Sequence, residues 1–128
     1  MGKTPRDLGV PGEQQLKGRG VSYCAVCDGP LFKGKTVAVI GAGDPALDAA
    51  NYLSGIVRKV YLIQRTAHPI GDEELTQSLR SRGNVEFLSG RIVSEIKGKT
   101  KVESVVLKDV SAKEQKEEGI KKLQKTSV

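Results

Sequence analysis

Apolar and polar positions change period along this chain, and the changes mark out its elements. Thr36-Val37-Ala38-Val39-Ile40 is an unbroken apolar run of strand length, the pattern of a strand buried on both faces. Leu47, Ala50 and Leu53 then recur at helical spacing behind Pro45, and Gly55 follows as a stop. Proline suits a first helical position because its missing N–H would have no partner there. Lys59-Val60-Tyr61-Leu62-Ile63 is a second buried strand. Asp72-Glu73-Glu74 opens another helix with acids at its positive end, Leu75 and Leu79 give its inner face, and Arg80, Arg82 and Gly83 close it. Val85-Glu86-Phe87-Leu88 is a third strand. Beyond it the helical period disappears: Arg91–Ile96 and Val102–Val110 read as strands joined by a Lys-Gly-Lys-Thr turn. The pattern predicts an α/β fold, a Rossmann-like parallel sheet (βαβαβ) with right-handed crossovers, followed by an antiparallel β-hairpin layer.

The two ends carry less pattern. Residues 1–20 are rich in Gly, Pro and charge and read as an extended lead-in, with a turn at Val10-Pro11-Gly12. Val21 to Phe32 reads as a short helix or turn around two cysteines. Residues 115–128 are a charged tail whose apolar anchors, Ile120 and Leu123, come with a fringe helix or disorder as the expectation. Its charge argues against a sheet strand. The 128 residues suffice for a single domain, with 21–114 as its core, resting on Val, Ile, Leu and Ala because aromatics are 4%.

Charge narrows the partners. The net charge of +6 invites a nucleic-acid reading, yet the basic residues are scattered among acids and no aromatics interleave with them. A pull on an anionic cofactor or an acidic protein fits better than a nucleic acid. No run is long enough to span a bilayer and no signal peptide is read, so the expectation is a cytoplasmic chain without a membrane partner.

Two motifs carry chemistry. Behind the first strand, Gly41-Ala42-Gly43-Asp44-Pro45-Ala46 follows a GxGxxA pattern: Gly41 for the tight turn, Gly43 for close backbone approach to a pyrophosphate, Ala46 for helix-to-strand packing. The helix starting near Asp44 or Pro45 would aim its first N–H groups at the phosphates. At the end of the second strand, where an acid would hold an adenosine ribose, stand Gln64-Arg65-Thr66. A cation without an acid favours a 2′-phosphate, hence NADPH, with NADH as the alternative.

Earlier in the chain, Ser22-Tyr23-Cys24-Ala25-Val26-Cys27-Asp28-Gly29 places two cysteines two residues apart with an acid directly after them. Two cysteines are too few for a structural zinc site, and His68 is some forty residues away, so no metal is expected. In a cytosolic chain such a pair points to redox use, with Asp28 as a proton donor to a leaving thiolate. An inert buried pair is the bland alternative.

The run Cys24-Ala25-Val26-Cys27-Asp28-Gly29, then Phe32-Lys33-Gly34-Lys35 and the Gly41 turn, closely resembles the nicotinamide-binding domain of low-molecular-weight thioredoxin reductases. Thr4-Pro5-Arg6 through Leu8-Gly9-Val10-Pro11-Gly12-Glu13 looks like the family's passage out of its FAD domain. The resemblance spans roughly residues 2–114. It implies a redox disulfide in which Cys27 faces the flavin, Cys24 attacks thioredoxin or a thioredoxin-like protein, and Asp28 manages the proton. It also implies an NADPH site at the Gly43 helix, read at its 2′-phosphate by arginines. Here those positions hold Gln64, Arg65, Thr66 and Ile70, and of the arginines only Arg65 is kept. The chain carries one dinucleotide motif where the family has two. The expectation is therefore a folded domain lacking the FAD half, inactive alone, with a homodimer left open. The competing reading is a stand-alone nucleotide- or redox-sensing module without activity.

Overall fold

The computed structural model describes residues 8–41, 43–66, 71–110, 115–118 and 122–125. In chain order the elements are β1 (Val21–Ser22), α1 (Ala25–Asp28), a 3₁₀ turn (Gly29–Phe32), β2 (Thr36–Ile40), α2 (Gly43–Ser54), β3 (Lys59–Gln64), α3 (Glu73–Arg80), β4 (Val85–Ser89), β5 (Arg91–Lys97), β6 (Ser104–Asp109), β7 (Gln115–Glu118) and β8 (Lys122–Lys125). The described strands form a five-stranded parallel sheet in the order β1-β8-β2-β3-β4 and a three-stranded antiparallel sheet in the order β5-β6-β7. The βαβαβ unit is β2-α2-β3-α3-β4, in direct register from Thr36 opposite Lys59 to Ile40 opposite Ile63.

Alternation along β2 and β3 divides the core. Val37, Val39, Val60 and Leu62 pack with Leu47, Ala50, Leu53 and Leu79 of the two helices. Ala38, Ile40 and Ile63 point the other way, onto Val93, Ile96, Val105 and Leu107 of the antiparallel sheet. A strand covered on both faces needs apolar residues at every position, which is why these strands read as continuous runs. Helix α3 begins where its acids suggested: the Asp72 carboxylate caps it, accepting from Leu75 N–H at 2.9 Å.

Two expectations are corrected. The charged segment beyond residue 114 is neither helix nor loose tail where it is described. Gln115–Glu118 turns the hairpin into a three-stranded sheet, and Lys122–Lys125 enters the parallel sheet between β1 and β2. Open backbone donors and acceptors on those two strands accept any extended segment, whatever its side chains, so composition misled. The lead-in is also more folded than an extended linker. Residues 11–20 run through successive turns that bury Leu16 and Glu13, and Lys17 bridges to Val21.

Candidate redox and nucleotide site

Cys24 and Cys27 are joined as a disulfide with their Cα atoms 5.3 Å apart. Cys24 is the N-cap of the one-turn helix α1, and its sulfur accepts the Cys27 N–H at 3.2 Å. Of the two, Cys27 is exposed and Cys24 half-buried. The acid after the pair folds back over the cap: Asp28 N–H donates to the Cys24 carbonyl at 3.1 Å, and the Ser22 hydroxyl donates to Asp28 Oδ2 at 2.6 Å. Ser22 in turn accepts the Cys24 N–H at 3.2 Å. Asp28 thus has a structural attachment that the sequence did not reveal.

The residue before the pair is fastened as well. Tyr23 Oη donates to Glu13 Oε2 at 2.7 Å, and the same carboxylate accepts Leu8 N–H and Gly9 N–H, each at 2.8 Å. Glu13 is fully buried. Three donors on one carboxyl group satisfy a polar side chain that would otherwise be costly to bury. A lone glutamate inside a Pro-Gly turn gives no sequence signal of this, because its partners are main-chain N–H groups and a tyrosine ten residues on.

Gly41 and Gly43, at the end of β2 and the start of α2, are the described glycines of the turn. Gly43 opens α2 at φ +78°, a conformation that L side chains rarely adopt. Among the described residues a Cβ built on it would meet the Pro45 ring alone, at 3.8 Å. Gly41 N–H bonds the Ile63 carbonyl at 3.2 Å, fixing the turn to the end of β3. Asp44 and Pro45 are exposed on the first turn of α2, and Ala46 is fully buried against the sheet. These residues fit a nucleotide pyrophosphate. Asp44 has a second task, since its Oδ1 accepts the Asp72 N–H at 2.7 Å and ties the entry of α3 to that of α2.

The two ribose candidates part company. Arg65 is exposed, whereas Gln64 is 1% exposed, and its amide nitrogen and oxygen have no hydrogen-bond partner among the described residues. Alternation from Val60 and Leu62 puts Gln64 on the helix face of the sheet. Ala42, His68 and Ile70 lie outside the described residues.

Disulfide and glycine turn sit at opposite ends of α2. A Cβ on Gly29, just after α1, would come within 2.7 Å of Tyr52 Cε2 near the C-terminus of α2. Gly43 starts the same helix, and nine residues of rise separate the two positions by roughly 14 Å. Two depressions adjoin the entry of α3. One of about 610 Å³ runs along α3, lined by Glu73, Gln77 and Arg80. Another of about 460 Å³ is walled by Asp44, Asp48, Asp72 and Glu74, and so adjoins the start of α2 at Asp44.

Fold and site together define a dinucleotide-type α/β domain carrying a disulfide on the connection that leads into its first βαβ unit. The sequence matches the pyridine nucleotide-disulphide oxidoreductase family over residues 1–121, and the chain belongs to that family. It is 47% identical over 119 residues to an alkyl hydroperoxide reductase component of Pseudomonas putida, covering 90% of this chain and 23% of that protein. It is 39% identical over 116 residues to thioredoxin reductase of Treponema pallidum, covering 91% of this chain and 38% of the relative. The crystal structure of Lactococcus lactis thioredoxin reductase superposes with a TM-score of 0.91 at 35% identity, over 96% of this chain and 41% of that one. The chain therefore spans well under half the length of these relatives. That they are oxidoreductases does not favour the sensing-module reading.

Proposed function

We propose that this chain is the nicotinamide-nucleotide-binding, disulfide-bearing domain of a thioredoxin reductase-like flavoenzyme, passing electrons from NAD(P)H to the Cys24–Cys27 pair and on to thioredoxin or a similar protein. The observation that carries the reading is the pairing of a formed disulfide at one end of α2 with a glycine turn at the other. A separation of roughly 14 Å along α2 suits transfer through an intermediate carrier. A reduced nicotinamide supplies the electron pair and a flavin relays it as one- or two-electron steps, the FAD belonging to the part of the relatives that this chain does not span.

The chain's own residues have separate tasks. Gly41, Gly43 and the α2 start at Asp44, Pro45 and Ala46 receive the pyrophosphate. Arg65 reaches the adenosine ribose from the end of β3, with Gln64 beside it, and favours NADPH over NADH. Cys27, the more exposed of the two residues, is presented toward the flavin, Cys24 attacks the partner's disulfide, and Asp28 gives or takes the proton. The same assignment places the chain in the cytoplasm. Among the described residues no helix is long and apolar enough to cross a membrane.

Calorimetric titration of NADPH and NADH into the purified chain tests the reading. Saturable heat is expected for NADPH, and Gly43→Ala should weaken it by at least roughly tenfold, because a Cβ at φ +78° distorts the turn. No saturable binding of either nucleotide to a folded chain would refute it.

A further inference from the structure

We propose that Ser22 is a positioning residue for Asp28, holding its carboxylate over the Cys24 cap so that a proton can be exchanged with the cysteine sulfurs. The inference rests on the role given to Asp28 above. Ser22 is 6% exposed, on the short strand β1 and not on the redox turn itself. Its single hydroxyl proton has two acceptors within reach: Asp28 Oδ2 at 2.6 Å and the Cys24 carbonyl at 3.3 Å. The carboxylate oxygen is the nearer by 0.7 Å, so the proton goes there. The oxygen's lone pair meanwhile takes the Cys24 N–H. One serine oxygen thereby fastens the acid to the backbone of the N-terminal cysteine, and the Asp28 N–H bond to the Cys24 carbonyl closes the other side. An aspartate free of Ser22 would swing into solvent, since α1 is four residues long and constrains it little.

The same two side chains open onto a pocket. Ser22 and Asp28 line a cavity of about 100 Å³ together with Gly18, Gly20, Leu31 and Phe32. That is room for several waters, with polar groups to hold them. A proton delivered by Asp28 can be replaced from solvent along this path without disturbing the disulfide.

The step is thiol–disulfide exchange. A reducing thiolate attacks one sulfur, the Cys24–Cys27 bond breaks, a mixed disulfide forms, and the departing sulfur takes the electron pair and a proton that Asp28 has taken up from solvent through the adjoining cavity. A second thiol of the reductant then releases the mixed disulfide, so that the cysteines gain two electrons and two protons and the reductant becomes a disulfide.

The test needs no flavin. Dithiothreitol reduces the disulfide of the folded chain, and the dithiol is counted by alkylation and mass measurement at timed intervals. Wild type, Ser22→Ala, Asp28→Asn, the double variant and Ser22→Thr are compared, with thermal melts to show that each is folded. Loss of the hydroxyl should slow reduction on the order of tenfold. The double variant should be no slower than Asp28→Asn, and Ser22→Thr should recover most of the rate. A serine that merely shapes the turn would give additive losses, and that result overturns the proposal. So does a normal rate in Ser22→Ala with a slow Asp28→Asn. A normal rate in Asp28→Asn removes the acid's role itself, and the positioning claim falls with it.

Discussion

At the scale of single residues, Gln64 is the least comfortable side chain described. It is buried with neither amide atom partnered among the described residues, where an unmet polar group costs about 1–3 kcal/mol. Gln64→Leu should therefore raise the thermal midpoint of the free chain. If Gln64 serves the ribose, the same substitution should weaken nucleotide binding, which melts with and without NADPH would read together. Arg65→Ala should cost NADPH roughly tenfold, about 1.4 kcal/mol, and leave NADH nearly unchanged; equal losses would remove Arg65 from the choice. The surface pair Lys59–Glu86, 3.0 Å apart, is a contrast. Glu86 raises the lysine above its usual range, so the pair's contribution is complete below about pH 10.5 and fades as pH rises through the higher folded value. Both groups are well exposed, and screening holds the coupling to about 0.5 kcal/mol in a double-mutant cycle.

At the scale of elements, the strand β8 is out of character with its place. It lies between β1 and β2 in a parallel sheet, a position normally filled by an apolar run, yet it reads Lys-Leu-Gln-Lys. Main-chain pairing on both sides holds it, without the apolar run that anchors β2 and β3. Amide hydrogens of Lys122–Lys125 should accordingly exchange faster than those of β2 and β3, despite the central position. Lys122→Val with Gln124→Val should slow that exchange and raise the melting midpoint by a few degrees. Protection equal to that of β2 in the unaltered chain would contradict this account. Helix α2 works differently: its inner residues Ala46, Leu47, Ala50 and Leu53 are fully buried, and its length sets the distance from glycine turn to disulfide.

At the scale of the molecule, the helices, the parallel sheet and the antiparallel sheet form successive layers around two apolar clusters. The disulfide stands on one edge, flanked by Val26 and Leu31, which are 70% and 72% exposed. By the proposed function, electrons cannot pass from nucleotide to disulfide within this domain alone. The isolated chain should show no NADPH-dependent disulfide reduction, even with thioredoxin and free FAD supplied. Steady turnover proportional to chain concentration would overturn that expectation. Adding the flavin-binding part of a relative as a second polypeptide should restore activity if the interface forms.

The sequence alone determined what depends on local order along the chain. The apolar runs at Thr36–Ile40 and Lys59–Ile63 define strands because burial on both faces leaves no room for polar alternation. Gly43, Pro45 and Asp72 fix turn and helix starts because few residues satisfy those backbone positions, and the Cys24–Cys27 spacing matches one helical turn. Only the tertiary structure decided what depends on partners distant in the chain. Glu13 acquires its purpose from Tyr23 and the Leu8–Gly9 backbone, Ser22 from Asp28, and Gln64 its burial from the layers closing over β3. The clearest case is Lys122–Lys125, whose composition argues against a central strand. Strand pairing is made by main-chain groups that every residue but proline carries, so the unfilled place between β1 and β2 could set its fate where its own composition could not.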